Sequence, residues 1–318
     1  MHNLEKSKVL VTGGCGFIGS HIVDRLVELG ADVYIVDNLE SGKLDNISQH
    51  SGKVRFFEKD IKDDNFISQI LKEVDYLCHQ AALRSVPKSV DQPLEYHEVN
   101  VTATLKLFLK AKEFGIKRVV FASSSSVYGD RVDFPEKETD FPMPVSPYAC
   151  TKLLIENYAY MFKKLYNFDI VSLRYFNVFG PRQSLENEYA VVVPKFINSI
   201  LNNQKPPIYG DGNQERDFTY VQNVVDANIA ALTKENIGGE VFNVALGVPY
   251  SVNQLFNFLK EIVSSDITPT YLPKRQGDVY KTCADITKLK DILGVVPRVD
   301  FKSGLQKTVD WFINNRKK

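Results

Sequence analysis

Short apolar runs alternate along the first half of the chain with longer stretches in which apolar residues recur every three or four positions. The runs are rich in Val, Ile, Phe and Tyr and lack strict alternation with polar residues. This is the pattern of strands buried on both faces of a parallel sheet. The predicted strands are Lys8–Thr12, Asp32–Val36, Val54–Glu58, Val74–His79, Arg118–Ala122, Ile170–Arg174 and Glu240–Ala245.

Helical spacing fills the stretches between these runs. One predicted helix holds the apolar positions from Ile18 to Leu29 and ends at Gly30, and a second covers Val101–Phe114. A third begins with Ser146 as its cap, followed by proline, and runs to about Tyr166. Strand–helix alternation of this length predicts an α/β fold with a doubly wound parallel Rossmann sheet of about seven strands.

The pattern of alternating strands and helices ends after residue 178, where turn-rich, irregular segments predominate. We expect a smaller, mixed α/β C-terminal region there that binds the substrate. Residues 223–246 again have the pattern of a helix and a strand that return to the main sheet. The predicted division is therefore 1–178 plus 223–246 for the Rossmann domain, and 179–222 plus 247–318 for the substrate domain.

Composition narrows the possible partners. The 39 Lys and Arg residues balance 39 Asp and Glu residues, which argues against a nucleic-acid partner. No apolar run is long enough to span a membrane, and Val9–Val11 is too short for a secretion signal. The four cysteines lie far apart and the five histidines lack metal-ligand spacing, so we expect no metal, no disulfides and a cytoplasmic protein.

A glycine-rich turn follows the first predicted strand and precedes the first helix. Gly13, Gly16 and Gly19 have the spacing GxxGxxG, which allows a tight turn and close approach of a pyrophosphate to a helix N-terminus. Asp37 at the end of the second strand can accept hydrogen bonds from ribose hydroxyls and would repel a 2′-phosphate. The combination favours NAD over NADP, and a purely structural turn is the alternative.

Three residues form a candidate catalytic set. Tyr148 and Lys152 are spaced i and i+4, on one face of the third helix. A phenol is a weak base at neutral pH because its pKa is near 10, and a neighbouring ammonium would favour the phenolate. Ser124 follows the fifth strand and could relay a proton. Together with the glycine loop, these residues are typical of a short-chain dehydrogenase site.

Seven motifs resemble the extended short-chain dehydrogenase/reductase family, and specifically its nucleotide-sugar epimerases. They are TGGCGFIGSHIVDRL, HQAALRSVPKSV, FASSSSVYGD, SPYACTK, LRYFNVFGPRQ, GDGNQERDFTYV and RQGDV, in the family's order. The resemblance covers essentially the whole chain. It implies an NAD-dependent UDP-sugar 4-epimerase that forms a homodimer through helices such as Val101–Phe114 and Tyr148–Tyr166.

The resemblance also implies roles for individual positions, with Ser124, Tyr148 and Lys152 as the catalytic residues. The cofactor-binding positions are Gly13, Gly16, Phe17, Ile18, Gly19, Asp37, Asn38, Asp60, Ile61, Ala81, Ala82, Arg84, Asn100, Tyr148, Lys152 and Tyr175. The substrate-binding positions are Ser85, Ser124, Ser125, Asn177, Val192, Lys195, Tyr209, Arg216, Arg275, Asp278 and Thr282.

Two serines decide between related reactions. Ser125 and Ser126 occupy positions where related 4,6-dehydratases carry Asp and Glu, and where related UDP-glucuronate decarboxylases carry a Glu at the second position. Dehydration and decarboxylation are therefore disfavoured. A UDP-glucuronate 4-epimerase, or a reductase that uses the same site, remains an alternative. A silent NAD-binding protein is a third hypothesis, against which the intact catalytic set argues.

The preferred sugar depends on a gate residue. By alignment with the family this is Thr282, or Cys283 if the register slips, and either is small. A small gate is typical of relatives that admit 2-acetamido sugars, which favours UDP-N-acetylglucosamine and leaves UDP-glucose open. Arg84 occupies a position that can be Gly in that subgroup. Its charge could serve the cofactor or favour a uronic acid.

Overall fold

A computed structural model describes residues 4–185, 192–274 and 279–316. The strands are β1 (Lys8–Thr12), β2 (Asp32–Asp37), β3 (Val54–Glu58), β4 (Tyr76–His79), β5 (Arg118–Ser124), β6 (Ile170–Tyr175), β7 (Val178–Phe179), β8 (Pro207–Tyr209), β9 (Glu215–Arg216), β10 (Thr219–Tyr220), β11 (Val241–Val244), β12 (Tyr250–Ser251) and β13 (Thr270–Leu272). The helices are α1 (Phe17–Glu28), α2 (Asp64–Leu71), α3 (Val86–Asp91), α4 (Pro93–His97), α5 (Thr104–Glu113), α6 (Pro147–Tyr166), α7 (Val192–Leu201), α8 (Val221–Thr233), α9 (Val252–Val263) and α10 (Phe301–Asn315).

Seven strands form one parallel sheet in the order β11-β6-β5-β4-β1-β2-β3. The chain begins at the centre of this sheet, builds one half outward to β3, and then crosses back to build the other half. The apolar runs carry few polar residues because helices cover both faces, and every residue of β4 and β6 is buried. The predicted fold class is confirmed.

Two apolar clusters fill the spaces between the sheet and its helices. One cluster lies under α1 and α8 and includes Ile22, Leu26 and Val224. The other lies on the opposite face, under α2, α5 and α6, and includes Phe108 and Phe162. Each helix therefore buries the apolar stripe that its spacing predicts.

Several strand ends differ from the prediction, and the end of β5 matters for the site. β4 begins at Tyr76 rather than Val74, and the carboxylate of the preceding Asp75 accepts a hydrogen bond from the backbone N–H of Lys8 (2.9 Å) at the amino ends of the strands. β5 continues to Ser124, since Ser123 and Ser124 pair with β6. The extra pairing places Ser124, a predicted catalytic residue, at the end of a paired strand.

The second predicted helix begins with a wider turn than expected. Residues Glu98–Ala103 form a π-helical segment that continues into α5. This turn holds the buried Asn100, whose side-chain amide donates to the carbonyl of Leu83 and accepts from its N–H, both at 2.9 Å. Asn100 thereby fixes the loop that follows β4.

A third apolar cluster lies in the C-terminal part of the chain. Phe218 and Phe301 stack at its centre with ring centroids 4.9 Å apart, and α7, α9 and α10 surround them. The predicted division into two interleaved domains stays a prediction. Within residues 4–185, 192–274 and 279–316, no helix is long and apolar enough to cross a membrane.

Candidate active site

A cavity of about 1900 Å³ opens at the carboxyl ends of the parallel strands. Its wall includes the loop between β1 and α1 and the residues that end β2, β5 and β6. Ligands of doubly wound sheets bind at this edge. Pockets for a single small molecule usually measure roughly 300–1,000 Å³, so this cavity has room for two ligands of nucleotide size.

The glycine loop brings the backbone close to the cavity. Gly13 has φ +70°, and a Cβ at this position would stand 2.8 Å from the backbone nitrogen of Ala81. A Cβ on Gly19 would collide with the carbonyl oxygen of Gly13. With both positions bare, α1 begins at Phe17 with its first N–H groups at the cavity. The loop therefore fits the pyrophosphate of a dinucleotide.

The carboxylate of Asp37 is fixed at the end of β2. Its Oδ2 accepts from the N–H of Cys15 and its Oδ1 from the N–H of Leu39, both at 2.9 Å. Burial raises the pKa of Asp37. A carboxylate oxygen can accept a second hydrogen bond, so the group still fits the ribose hydroxyls of NAD. Asn38, which donates to Asp60 at 3.1 Å, extends this wall.

The candidate catalytic residues meet at the junction of β5 and α6. Ser124 ends β5, and Tyr148 and Lys152 lie on the first two turns of α6. The hydroxyl of Ser146 accepts from the N–H of Ala149 and caps the helix, as the Ser-Pro pair predicts. The hydroxyl of Ser89 accepts from the N–H of Tyr148 at 3.1 Å, so the first turn is also held from α3.

Burial raises the pKa of the Tyr148 phenol. Two groups oppose this effect: a hydrogen bond from the side chain of Ser124, and the positive charge of Arg84. The sequence predicts that the ammonium of Lys152 favours the phenolate, whereas the positive charge that lowers the pKa of this phenol in the structure is the guanidinium of Arg84. The contact with Ser124 joins the phenol to the serine that the sequence assigns to proton relay.

Lys152 is buried beneath Tyr148. Its Nζ donates to the carbonyl of Ala122 at 2.8 Å and lies 5.8 Å from the centroid of the tyrosine ring. Burial lowers the pKa of Lys152 to about 7, against an opposing effect from the carboxylate of Glu156. The ammonium of Lys152 therefore loses its proton near neutral pH.

A second group of predicted residues lies across the cavity. The hydroxyl of Thr282, the predicted gate, donates to the side-chain oxygen of Asn177 and accepts from the N–H of Asp217, both at 3.3 Å. Asn177 follows β6 with a φ of +27°. The Nη1 of Arg216 donates to the carbonyl of Tyr280 at 3.2 Å. Asn177, Thr282 and Arg216 all line the cavity.

Sequence reasoning missed a pair of carboxyl groups beside this gate. Glu136 lines the cavity and accepts from the N–H of Cys283 at 3.0 Å, and Asp217 accepts from the N–H of Ala284 at 3.2 Å. Burial raises the pKa of each carboxyl to about 7. No local motif marks Glu136, whose partner lies 147 residues further along the chain. Asp217 lies within the motif GDGNQERDFTYV, but the motif points to Arg216, and the partner that holds the carboxyl of Asp217 lies 67 residues further along.

The structure brings most of the predicted site residues into this one cavity wall. Those in the wall are Gly13, Gly16, Phe17, Ile18, Gly19, Asp37, Asn38, Asp60, Ile61, Ala81, Ala82, Arg84, Ser85, Ser124, Ser125, Tyr148, Lys152, Tyr175, Asn177, Arg216 and Thr282. Those described but not in the wall are Asn100, Val192, Lys195 and Tyr209. Arg275 and Asp278 lie outside the described residues. The individual roles stay predictions.

A glycine-rich loop before α1, a carboxylate at the end of β2 and a Ser/Tyr/Lys set in one cavity are typical of a Rossmann-fold enzyme of the short-chain dehydrogenase type. Residues 9–245 match the NAD dependent epimerase/dehydratase family, and the chain belongs to it. This match confirms the family and the cofactor, NAD, that the sequence motifs predict.

Relatives cover nearly the whole chain. A putative UDP-glucose 4-epimerase of Methanocaldococcus jannaschii is 40% identical over 97% of this chain and 99% of its own. The solved UDP-N-acetylglucosamine 4-epimerase of Methanobrevibacter ruminantium M1, in complex with UDP-N-acetylmuramic acid, is 46% identical with a TM-score of 0.94, covering 98% and 99%. The UDP-glucose 4-epimerase of Thermotoga maritima, solved with UDP-glucose, is 41% identical with a TM-score of 0.92, covering 97% and 99%.

Proposed function

We propose that this chain is an NAD-dependent UDP-sugar 4-epimerase. The observation that carries the proposal is the meeting of Ser124, Tyr148 and Lys152 in the wall of the cavity that also contains the glycine loop. The cavity, at about 1900 Å³, has room for a dinucleotide and a nucleotide sugar together. The names of the similar proteins support the same reaction.

Tyr148 acts as the base in this reaction. Its phenolate accepts the proton of the sugar 4-hydroxyl, directly or through Ser124. The 4-keto sugar then rotates to present its opposite face, and Tyr148 returns the proton to it. When bound, NAD supplies a reversible hydride acceptor for C4. Lys152 holds the nicotinamide ribose and favours the phenolate. No net oxidation results, so the enzyme needs no external reductant.

The nucleotide is held away from the reacting carbon. Arg216 binds the diphosphate, since a guanidinium suits phosphate oxygens, and Asn177 binds the diphosphate or the sugar. Arg275 and Asp278, which the family resemblance assigns to UDP, lie outside the described residues. A firm grip on UDP leaves the sugar free to turn, which 4-epimerisation requires.

Two serines favour epimerisation over elimination. Removing water from C5 and C6 of the sugar needs an acid and a base beside the catalytic serine. Ser125 and Ser126 occupy those positions, and Ser126 donates to the hydroxyl of Ser124 at 2.9 Å. A hydroxyl group is too weak an acid or base for this step at neutral pH. The reaction therefore stops at the inverted C4.

For the sugar, we propose UDP-N-acetylglucosamine and its 4-epimer, with UDP-glucose also accepted. The small side chain of Thr282 at the predicted gate supports this choice, because it leaves room for an acetamido group. The second candidate is a UDP-glucuronate 4-epimerase. The guanidinium of Arg84 in the cavity wall supports it, since this group could bind a uronic carboxylate.

The test is turnover without added cofactor. Purified protein is incubated with UDP-N-acetylglucosamine, UDP-glucose or UDP-glucuronate, and the products are separated by chromatography. We expect interconversion of the acetamido pair at the highest kcat/KM, supported by the NAD that copurifies. Turnover of UDP-glucuronate alone would select the second candidate. Failure of all three sugars with NAD supplied would refute the proposal.

We also propose a homodimer formed by the helices that follow β4 and β5. Apolar side chains on these helices are exposed in the single chain: Leu94 (81%), Leu109 (44%), Leu154 (37%) and Leu165 (66%). Apolar side chains clustered at a surface are typical of an interface. Light scattering should give twice the chain mass of 36.1 kDa, and Leu154→Arg should reduce it to one chain. A single-chain mass for the wild type would exclude the dimer.

The proposed compartment is the cytoplasm. All four cysteines are free thiols, which suits a reducing environment. Cell fractionation with a tagged chain tests this, and recovery outside the cytoplasmic fraction would contradict it.

A further inference from the structure

A buried carboxylate lies one helical turn beyond Lys152 on α6. The side chain of Glu156 is 3% exposed and does not belong to the cavity wall. Its Oε1 accepts from the Nε of Arg174 at 3.0 Å and from the hydroxyl of Ser123, and its Oε2 accepts from Nη2 of Arg174 at 2.7 Å. Ser123 directly precedes the catalytic Ser124 at the end of β5. One carboxylate thus joins α6 to the ends of β5 and β6.

We propose that Glu156 is a positioning residue for the catalytic site. It holds the end of β5 and the second turn of α6 in one register, so that Ser124 and Lys152 face the same reacting atoms, and it keeps Lys152 in its ammonium form. The kinetic consequences rest on the proposed function. The charge of Lys152 does not, because it can be measured without turnover.

Glu156 is the anion that faces Lys152 in the described part of the chain. Burial lowers the pKa of Lys152 to about 7, and the carboxylate of Glu156 is the effect that opposes this fall. His79, which faces Lys152 from β4, is held neutral because burial lowers its pKa to about 3. The phenol of Tyr148 in its protonated form adds no charge beside Lys152. Neutralising Glu156 therefore leaves burial nearly unopposed, and Lys152 would become an uncharged amine at neutral pH.

The electrostatic role depends on the partner of Glu156. Arg174 reaches the carboxylate from β6, and its guanidinium also lies over the ring of Tyr128, 4.6 Å from the centroid. This pairing gives the buried carboxylate a partner of opposite charge where water cannot reach it. Arg174 therefore contributes to the same effect on Lys152 as the ion-pair partner of Glu156.

The competing explanation is that Glu156 merely stabilises the fold. The same sheet offers a matched control for that explanation. Arg118, with a side chain 5% exposed, pairs with Asp169 at 2.7 Å at the opposite end of β5, and neither residue lines the cavity. Asp169→Asn and Glu156→Gln each remove one carboxylate from a buried arginine. Only Glu156→Gln removes it from the neighbourhood of Lys152.

The first measurement is the ionisation of Lys152 itself. Wild-type protein, Glu156→Gln and Asp169→Asn are labelled briefly with acetic anhydride from pH 5 to 10, and mass spectrometry quantifies acetylation of the peptide that contains Lys152. We expect the apparent pKa of Lys152 to fall by about one unit or more in Glu156→Gln, which makes the amine about tenfold less protonated above its pKa. Asp169→Asn should leave it unchanged. An unchanged value in Glu156→Gln overturns the proposal.

The second measurement is the pH profile of 4-epimerisation. Glu156→Gln should move the descending limb of kcat to lower pH, so that the loss grows to about tenfold on the alkaline side, while the KM for the UDP-sugar changes little. Glu156→Asp, which keeps the charge, should restore part of kcat. Equal loss at every pH, matched by Asp169→Asn, would reduce Glu156 to a structural residue and overturn the proposal.

Loss of turnover in the wild type and misfolding of Glu156→Gln lead to different conclusions. If the wild type turns over no UDP-sugar, the proposed function fails, and the labelling experiment still decides the effect on Lys152. If Glu156→Gln does not fold, Glu156→Gln combined with Arg174→Met removes the whole ion pair and leaves no buried charge unpaired. That double variant must show the same fall in the pKa of Lys152. A pKa equal to that of the wild type would again overturn the proposal.

Discussion

Lys152 should cost the folded protein stability, and replacing it should make the protein both inactive and more stable. Burial lowers the pKa of Lys152 from 10.5 to about 7. At 1.36 kcal/mol per pKa unit, holding the charged form in the fold costs roughly 4–5 kcal/mol. Lys152→Met removes this cost. It also removes the hydrogen bond to Ala122, which offsets about 1–2 kcal/mol, so we expect a net gain of about 2–4 kcal/mol near pH 7.

The difference in the free energy of unfolding between Lys152→Met and the wild type should depend on pH. Between pH 7 and 10.5 the unfolded chain binds more protons at Lys152 than the folded chain does, so the free energy of unfolding of the wild type rises with pH through that window. The methionine variant lacks this contribution. Its advantage should therefore be largest at and below pH 7 and should shrink as the pH approaches 10.5.

Urea denaturation of both proteins at pH 6, 7, 8.5 and 10 measures the difference. The proteins must be stripped of NAD first, because a bound ligand adds its own stabilisation by mass action. Activity at each pH provides the functional half of the comparison. A methionine variant that is less stable than the wild type at pH 7, or a difference that does not vary with pH, would refute the reasoning.

Four further substitutions test the site, one of them as a control. Gly19→Ala places a Cβ against the carbonyl of Gly13 and should weaken NAD binding, measured by titration, by about tenfold or more. The control, Gly16→Ala, should have a milder effect because its Cβ would stand 3.1 Å from the same oxygen. Equal effects of the two variants would contradict the loop geometry. Tyr148→Phe should lower kcat by about 10²–10⁴ while UDP binding persists in calorimetry, and an unchanged rate would exclude Tyr148 as the base. Thr282→Tyr should lose UDP-N-acetylglucosamine before UDP-glucose in product analysis; loss of both sugars together would disprove the gate.

Local signals predicted the cofactor half of the molecule well. β1, β3 and α6 have the predicted starts, because continuous apolar runs and a Ser-Pro cap depend on neighbouring residues alone. The glycine loop also lies where its spacing indicates, since the turn and the helix that it joins are adjacent in the chain. Short-range chemistry is readable from sequence for this reason.

Long-range pairing was not readable in the same way. Nothing near Glu136 marks it as part of the cavity, because its backbone and carboxylate are held by Cys283. The wide turn at Glu98–Ala103 is similar, since it is fixed by the contact between Asn100 and a loop 17 residues earlier. Arg84 could be assigned to a charge near the phosphates but not to Tyr148, because only the folded chain brings α6 to the loop after β4.

The segment that carries the predicted gate is held by backbone hydrogen bonds in addition to those of the Thr282 hydroxyl. Successive N–H groups of Cys283 and Ala284 donate to Glu136 and Asp217, while the N–H of Thr282 donates to the carbonyl of Glu215. These three backbone hydrogen bonds do not depend on the side chain at 282, so they would survive an exchange there. Under the proposed function, substrate range is then an evolvable trait at this position: one codon would widen or narrow the sugars accepted, while the proposed catalytic residues on α6 would be inherited unchanged.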